Sequence, residues 1–212
     1  MNYQKTVHKY IDEISSNSPT PGGGNVAAFC GVLAASLGEM VCSLTVGKKK
    51  YAEVEKEINL IYEKLKMFKE EFLILAEQDN EAFDRVMDAM KLPKETEEQK
   101  LFRKTAIDNA TLEAAAIPAE VIKKCKAILP LFKELEAKGN QNSLSDIGVA
   151  VLLVGAVSHG AFLNVAINYT SLTNKTTGGE ILRKSKTIFD EIKLEAESLV
   201  NKITEKILDK NF

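Results

Sequence analysis

Apolar residues recur along most of this 212-residue chain at steps of three and four, the spacing of one helix face, and strand-like alternation is absent. Residues 2–15 set Val7, Tyr10, Ile11 and Ile14 on one side of a short amphipathic helix. After the turn PTPGGGN, the run from Val26 to Leu44 is nearly all apolar and small. Such a run fits the centre of a helical bundle, with Gly31, Ala35, Gly38 and Cys42 letting neighbouring backbones come close. It is also about long enough to span a bilayer. Glu39 and the scarcity of strongly apolar side chains favour the bundle.

The stretch 52–90 is long and regular. Val54, Ile58, Ile61, Leu65, Phe68, Phe72, Leu75, Ala82, Val86 and Ala89 follow one another as a heptad seam. Between Leu75 and Ala82 the seam predicts an apolar residue at position 79, and the chain supplies Asp79. Pro93 ends this helix. Another is expected from about Thr96 to Ala116, with Pro118 suited to the first turn of the next and Pro130 kinking or dividing it. A polar loop at 138–146 leads into a second apolar helix, 147–168, which Ser143 or Ser145 can cap. A final amphipathic helix carries Ile181, Ile188, Ile192, Leu199, Ile203 and Ile207.

No low-complexity linker divides these segments. The expectation is one helical domain spanning 1–212: an all-α, multi-helix up-and-down bundle with two central apolar helices. The long seam and the small-residue faces predict a symmetric dimer.

Charge and composition narrow the function classes. The net charge of −2 provides no basic field for nucleic acid. Three cysteines at no ligand spacing and two distant histidines predict no metal site and a reducing cytoplasm. The charged N-terminal stretch has no apolar core of a signal peptide, and no membrane partner is expected.

Five places invite chemistry. GGGNVA matches a dinucleotide fingerprint, but no strand precedes it, so that reading fails its context test. Asn25 can cap a helix, which accounts for one glycine and not for three. Gly22, Gly23 and Gly24 before a helix N-terminus, together with Asn25, instead offer N–H groups and room to a flat ligand. VGKKKY closes the same helix. Its lysines suit the helix dipole, or form an anion site at Lys48 and Lys49 with Tyr51 available for stacking. Asp79 on a seam costs several kcal/mol unless it is paired or protonated. Asn140, Asn142, Ser145 and Asp146 gather before the second apolar helix, where ordinary capping also explains them. Asn164 and Asn168 lie one turn apart inside that helix and need partners. His159 is available as a base, though a lone histidine there is more often structural.

PTPGGGN, GKKKY, QDNEAFDRVM, KLPK, GNQNSLSDIGVA and NVAIN, in that order, resemble the cyclodeaminase domain of the formiminotransferase-cyclodeaminase family. Standalone methenyltetrahydrofolate cyclohydrolases are similar to the same pattern. The resemblance covers residues 3–207. It departs at Asn25, where the pattern usually has a serine, and that puts any hydroxyl role at this position in doubt.

The resemblance implies a dimeric folate enzyme that uses a tetrahydrofolate derivative as substrate and no cofactor. In cyclodeamination, N10 of 5-formiminotetrahydrofolate attacks the formimino carbon, a ring closes to 5,10-methenyltetrahydrofolate, and ammonia leaves. The cyclohydrolase alternative adds water to the methenyl bridge. Asp79 and Asp146 are the expected proton carriers, with Asn140, Asn142, Asn164 and Asn168 orienting the folate and Lys48 and Lys49 drawing a glutamate or polyglutamate tail. A folate-binding subunit without catalysis is the rival from another class.

Overall fold

The computed structural model describes residues 6–209, which form six α-helices and two 3₁₀ turns, with no strand among the described residues. Helix α1 is Val7–Ile14, α2 Gly23–Ser43, α3 Glu55–Met90, α4 Glu97–Lys138, α5 Leu144–Ser171 and α6 Lys175–Leu208. The all-α bundle expected from the periodicity is what forms, around one hydrophobic core drawn from α2 to α6. Residues 2–5 of the expected first helix lie outside the described residues.

The two apolar helices, α2 and α5, run antiparallel through the middle. Gly160 of α5 meets Ala27 near the start of α2. At the other end, the Asn140 N–H before α5 donates to Thr45 Oγ1 just after α2, at 2.9 Å. Helix α3 packs on α2 and α4, while α6 closes the other side against α5 and α4. The small residues of α2 have a direct steric use. A methyl group on Gly31 would collide with the Phe72 ring, and one on Gly38 with Leu65 and Phe132. Close packing at these crossings therefore excludes a larger side chain. Elsewhere, the fully buried Glu136 joins α4 to α6 through Lys202 at 2.5 Å and Lys206 at 2.9 Å. Burial alone would raise its pKa, but the two lysines hold it below the usual carboxylate range.

Three expectations need correction. In α1 only Tyr10 turns inward; Val7, Ile11 and Ile14 face solvent. The cause is the Tyr10 ring, which lies 4.8 Å from that of Phe29 and orients this two-turn helix. Second, α4 is one unbroken helix of 42 residues that runs through both Pro118 and Pro130. Pro118 cannot donate to the Ala114 carbonyl one turn back. Asn168 of α5 supplies the missing donor at 3.2 Å, so the helix continues. Third, α5 starts at Leu144, three residues before the expected position, and its N-cap Ser143 makes no side-chain capping bond.

Both central helices keep an apolar stripe outside the core. On α2 its exposed members are Leu33, Met40 and Leu44, continued by half-buried Val26, Cys30 and Leu37, of which Cys30 and Leu37 also touch the core; on α5 it is Val149, Leu152, Ala156, Leu163 and Ile167, with His159 among them. Leu163 is 59% exposed and Ile167 62%. The steps are again fours and threes, the spacing of a helix–helix seam. Both helices are long and apolar enough to cross a membrane. Each nevertheless buries its opposite side in the chain's own core.

Replacing Asn168 by alanine strands the buried Ala114 carbonyl. The expected cost is about 1–3 kcal/mol, or a fall in Tm of roughly 2–10 °C for a chain of this size. An unchanged Tm would contradict this repair of the proline gap.

Candidate functional site

Helix α2 starts without a side-chain cap, because its N-cap is Gly22 in extended geometry. The first-turn N–H groups of Gly23, Gly24 and Asn25 have no partner within the helix. Asn25 is therefore the third residue of α2 and not its cap, and it is fully buried. Both ends of its side chain are used. Oδ1 accepts the Tyr10 hydroxyl at 2.7 Å, and Nδ2 donates to the Ala76 carbonyl of α3 at 2.6 Å.

One turn beyond Ala76, the Asp79 carboxylate accepts the backbone N–H of Asn25. Asp79 thus caps α2 from a different helix. The contact is close enough that a methyl on Gly24 would fall well inside van der Waals distance of the carboxylate. Burial pushes the Asp79 pKa up, against the opposing pull of the Asn25 N–H. On the far side, Asn164 of α5 brings its Nδ2 within 3.8 Å of where a Cβ on Gly23 would lie, while donating to Gly160 of its own helix at 2.9 Å. Gly22, Gly23, Gly24, Asn25, Asp79 and Asn164 therefore form one group.

The other candidates gather at the opposite end of α2. Gly47, at φ 76°, takes the left-handed geometry that reverses the chain after the helix. Lys48, Lys49 and Lys50 follow and are exposed. The Tyr51 hydroxyl accepts the Gln141 N–H at 3.1 Å and reaches Asn140 Oδ1 at 3.5 Å. Tyr51 thus pins the loop before α5. Asn140 donates to the Leu44 carbonyl at 3.1 Å and accepts the Asn142 N–H at 3.2 Å. Asp146 sits in the first turn of α5 at this end.

Distance separates the two groups. Asp146 and Asn164 are about five turns apart on α5, roughly 27 Å. A single copy of the chain does not bring Asp79 and Asp146 to one reacting centre. Asn168 belongs to neither group, being committed to Ala114. His159 faces outward and lies 4.9 Å from the Phe189 ring, beside a cavity of about 340 Å³ between α5 and α6 that holds no candidate except His159 itself. Among the described residues, no group of three His, Cys, Asp or Glu side chains is placed to hold a metal ion. The sequence pattern missed the Tyr10–Asn25 pair. Its signal was a tyrosine on the inner face of a two-turn helix, whose buried hydroxyl must find a partner.

Comparison with known proteins gives a consistent group of relatives. The family described as formiminotransferase-cyclodeaminase matches residues 6–187. The chain is similar to a methenyltetrahydrofolate cyclohydrolase of Methylorubrum extorquens, 37% identical over 206 residues that cover 97% of each protein. It is also similar to the formimidoyltransferase-cyclodeaminase of Sus scrofa, 27% identical over 199 residues; these are 94% of this chain and 37% of that larger protein. A crystal structure of formiminotetrahydrofolate cyclodeaminase from Thermotoga maritima superposes with a TM-score of 0.80 at 30% identity, covering 95% of this chain and 98% of that one.

Adjacent glycines of the turn should respond differently to one methyl group. In Gly24→Ala the methyl meets the Asp79 carboxylate, whereas in Gly23→Ala its nearest neighbour is at an ordinary 3.8 Å. Gly24→Ala should cost about 1–3 kcal/mol by overpacking and displace Asp79, while Gly23→Ala should leave stability within about 1 kcal/mol of wild type. Equal melting temperatures for the two variants would contradict this close approach.

Proposed function

The chain belongs to the formiminotransferase-cyclodeaminase family, and from that premise we propose that it catalyses proton-coupled chemistry on the one-carbon bridge between N5 and N10 of tetrahydrofolate. The observation that carries the reading is Asp79: a half-buried carboxylate on a helix seam, set against the free N–H groups of a glycine turn. An acid in that setting holds its proton to higher pH than usual, so it can both accept and return one. The first-turn N–H groups of α2 favour negative charge beside it.

Two reactions fit this arrangement. Hydrolysis of 5,10-methenyltetrahydrofolate is the first reading, because the Methylorubrum cyclohydrolase shares 37% identity over nearly the whole of both chains. Water attacks the methenyl carbon and passes one proton to Asp79; Asp79 returns it to the ring nitrogen as the carbon–nitrogen bond breaks, and the new hydroxyl loses its own proton to solvent as it becomes the formyl carbonyl. Ring closure of 5-formiminotetrahydrofolate with loss of ammonia is the second reading, supported by the likeness to the Thermotoga protein. There the proton lost by N10 goes to the carboxylate and is delivered to the departing nitrogen. Neither scheme calls on a metal or redox cofactor, and both suit a cytoplasmic enzyme.

The second group of candidates joins the site through a second copy of the chain. The exposed stripes of α2 and α5 are apolar, which suits pairing with the same stripes of a second copy. A two-fold axis perpendicular to them sets the Lys48–Lys50 end of one copy beside the Asp79 end of the other. Lys48 and Lys49 then draw the glutamate tail, while Asn140, Asn142 and Asp146 of that copy complete the pocket. Tyr51 holds their loop through its hydroxyl.

An absorbance assay for methenyltetrahydrofolate, run with both substrates, tests the reading. Wild type should consume the methenyl substrate by hydrolysis or produce it from the formimino substrate. Asp79→Asn should lose about 100-fold to 10,000-fold in turnover. Its stability should behave differently. Asp79 has a raised pKa in the folded chain, so its ionisation takes stability away as pH rises through the window between its unfolded and folded values. At neutral pH, asparagine should therefore keep or raise Tm. Activity of wild type on neither substrate, with folate still bound, would favour a binding subunit; near-normal turnover of Asp79→Asn would remove Asp79 from the mechanism.

A further inference from the structure

The sequence pattern treated α1 as ordinary amphipathic cover, and the reaction schemes above make no use of it. Yet its one buried residue points a hydroxyl at the site. The Tyr10 hydroxyl donates to Asn25 Oδ1 at 2.7 Å, and Asn25 Nδ2 donates to the Ala76 carbonyl at 2.6 Å. The direction of this chain is fixed by chemistry. A carbonyl only accepts, so the amide nitrogen must face Ala76 and the amide oxygen must face Tyr10. Tyr10 is then obliged to be the donor. Burial, with Cys30 nearby, pushes its pKa up to about 12, which keeps that proton in place.

The chain ends at Asp79 by two routes. The Asn25 side chain grips α3 at Ala76, one turn before Asp79, and the Asn25 backbone N–H binds the Asp79 carboxylate itself. One residue thus holds both the helix that carries the acid and the acid. Asn25 cannot drift, since it is fully buried and both ends of its amide are engaged. The Tyr10 ring is in turn set by Phe29 of α2, at 4.8 Å.

We propose that Tyr10 and Asn25 are positioning residues for Asp79, forming a brace from α1 through the first turn of α2 to α3 that fixes the carboxylate over the glycine turn. The inference rests on the reading that Asp79 carries a proton in the reaction. It adds that α1, through Tyr10, contributes to the turnover rate. A carboxylate misplaced by a fraction of an ångström loses rate, because proton transfer needs hydrogen-bond reach to the reacting atom.

Tyr10→Phe removes one oxygen and keeps the ring against Phe29. Asn25→Ala removes the side-chain brace and keeps the backbone N–H that Asp79 accepts. Each should lower kcat by about tenfold, the scale of one hydrogen bond that leaves its buried partner unsatisfied, with KM within about twofold of wild type. Both should be introduced again in the Asp79→Asn background, where neither should reduce the residual rate further. Unchanged kcat in Tyr10→Phe would overturn the proposal, as would a tenfold loss that persists undiminished in the Asp79→Asn background, since the pair would then act on stability alone. Should Asn25→Ala fail to fold, Tyr10→Phe decides the question by itself. If Asp79→Asn alone keeps near-normal turnover, the failure lies with the reading of the reaction and is visible before any brace variant is made.

Discussion

The structure depends on how closely α3 can approach the first turn of α2. Three glycines and a buried asparagine make that turn thin enough for a carboxylate from another helix to reach its free N–H groups. Any Cβ at Gly24 would occupy the space that the Asp79 carboxylate fills. The same rule continues along the helix, where Gly31 receives Phe72 and Gly38 receives Leu65 and Phe132. A helix built of small residues thus serves two ends. It brings three long helices into one core, and it places one acid where water has little access and N–H groups face it.

That arrangement leaves the outer sides of α2 and α5 apolar, and it separates the polar loops by the full length of the bundle. The two facts belong together. A monomer with Leu163 and Ile167 in solvent has apolar surface to bury, and it holds Asp146 about 27 Å along α5 from Asn164, the α5 residue beside the glycine turn. The antiparallel pairing of two copies proposed above would answer both.

Much of this was legible in the residues. The heptad seam of α3 was plain because its apolar positions recur at threes and fours, and Asp79 stood out because it alone broke them. The family pattern was legible because six short motifs occur in order. What could not be read was pairwise. Pro118 looked like a helix start, because the donor that lets α4 continue is Asn168, fifty-four positions beyond the Ala114 carbonyl it repairs. Asn164 and Asn168 share a face, yet one lies beside the glycine turn and the other repairs a proline. Asn25 looked like a cap, since asparagine before an apolar run so often is one; three glycines moved the cap to Gly22 and drew Asn25 into the core. The separation of the candidates into two ends followed only from the antiparallel course of α2 and α5.

The central claim is that each site draws Asp79 from one copy of the chain and Asp146 from another. Hybrid dimers test it directly. Asp79→Asn and Asp146→Asn are each expected to be inactive as purified. Unfolding and refolding an equal mixture yields mixed dimers in which one of the two sites regains both native acids. Random pairing predicts recovery of about a quarter of wild-type activity. A mixture no more active than its two components, or an Asp146→Asn protein that turns over normally by itself, would contradict the account.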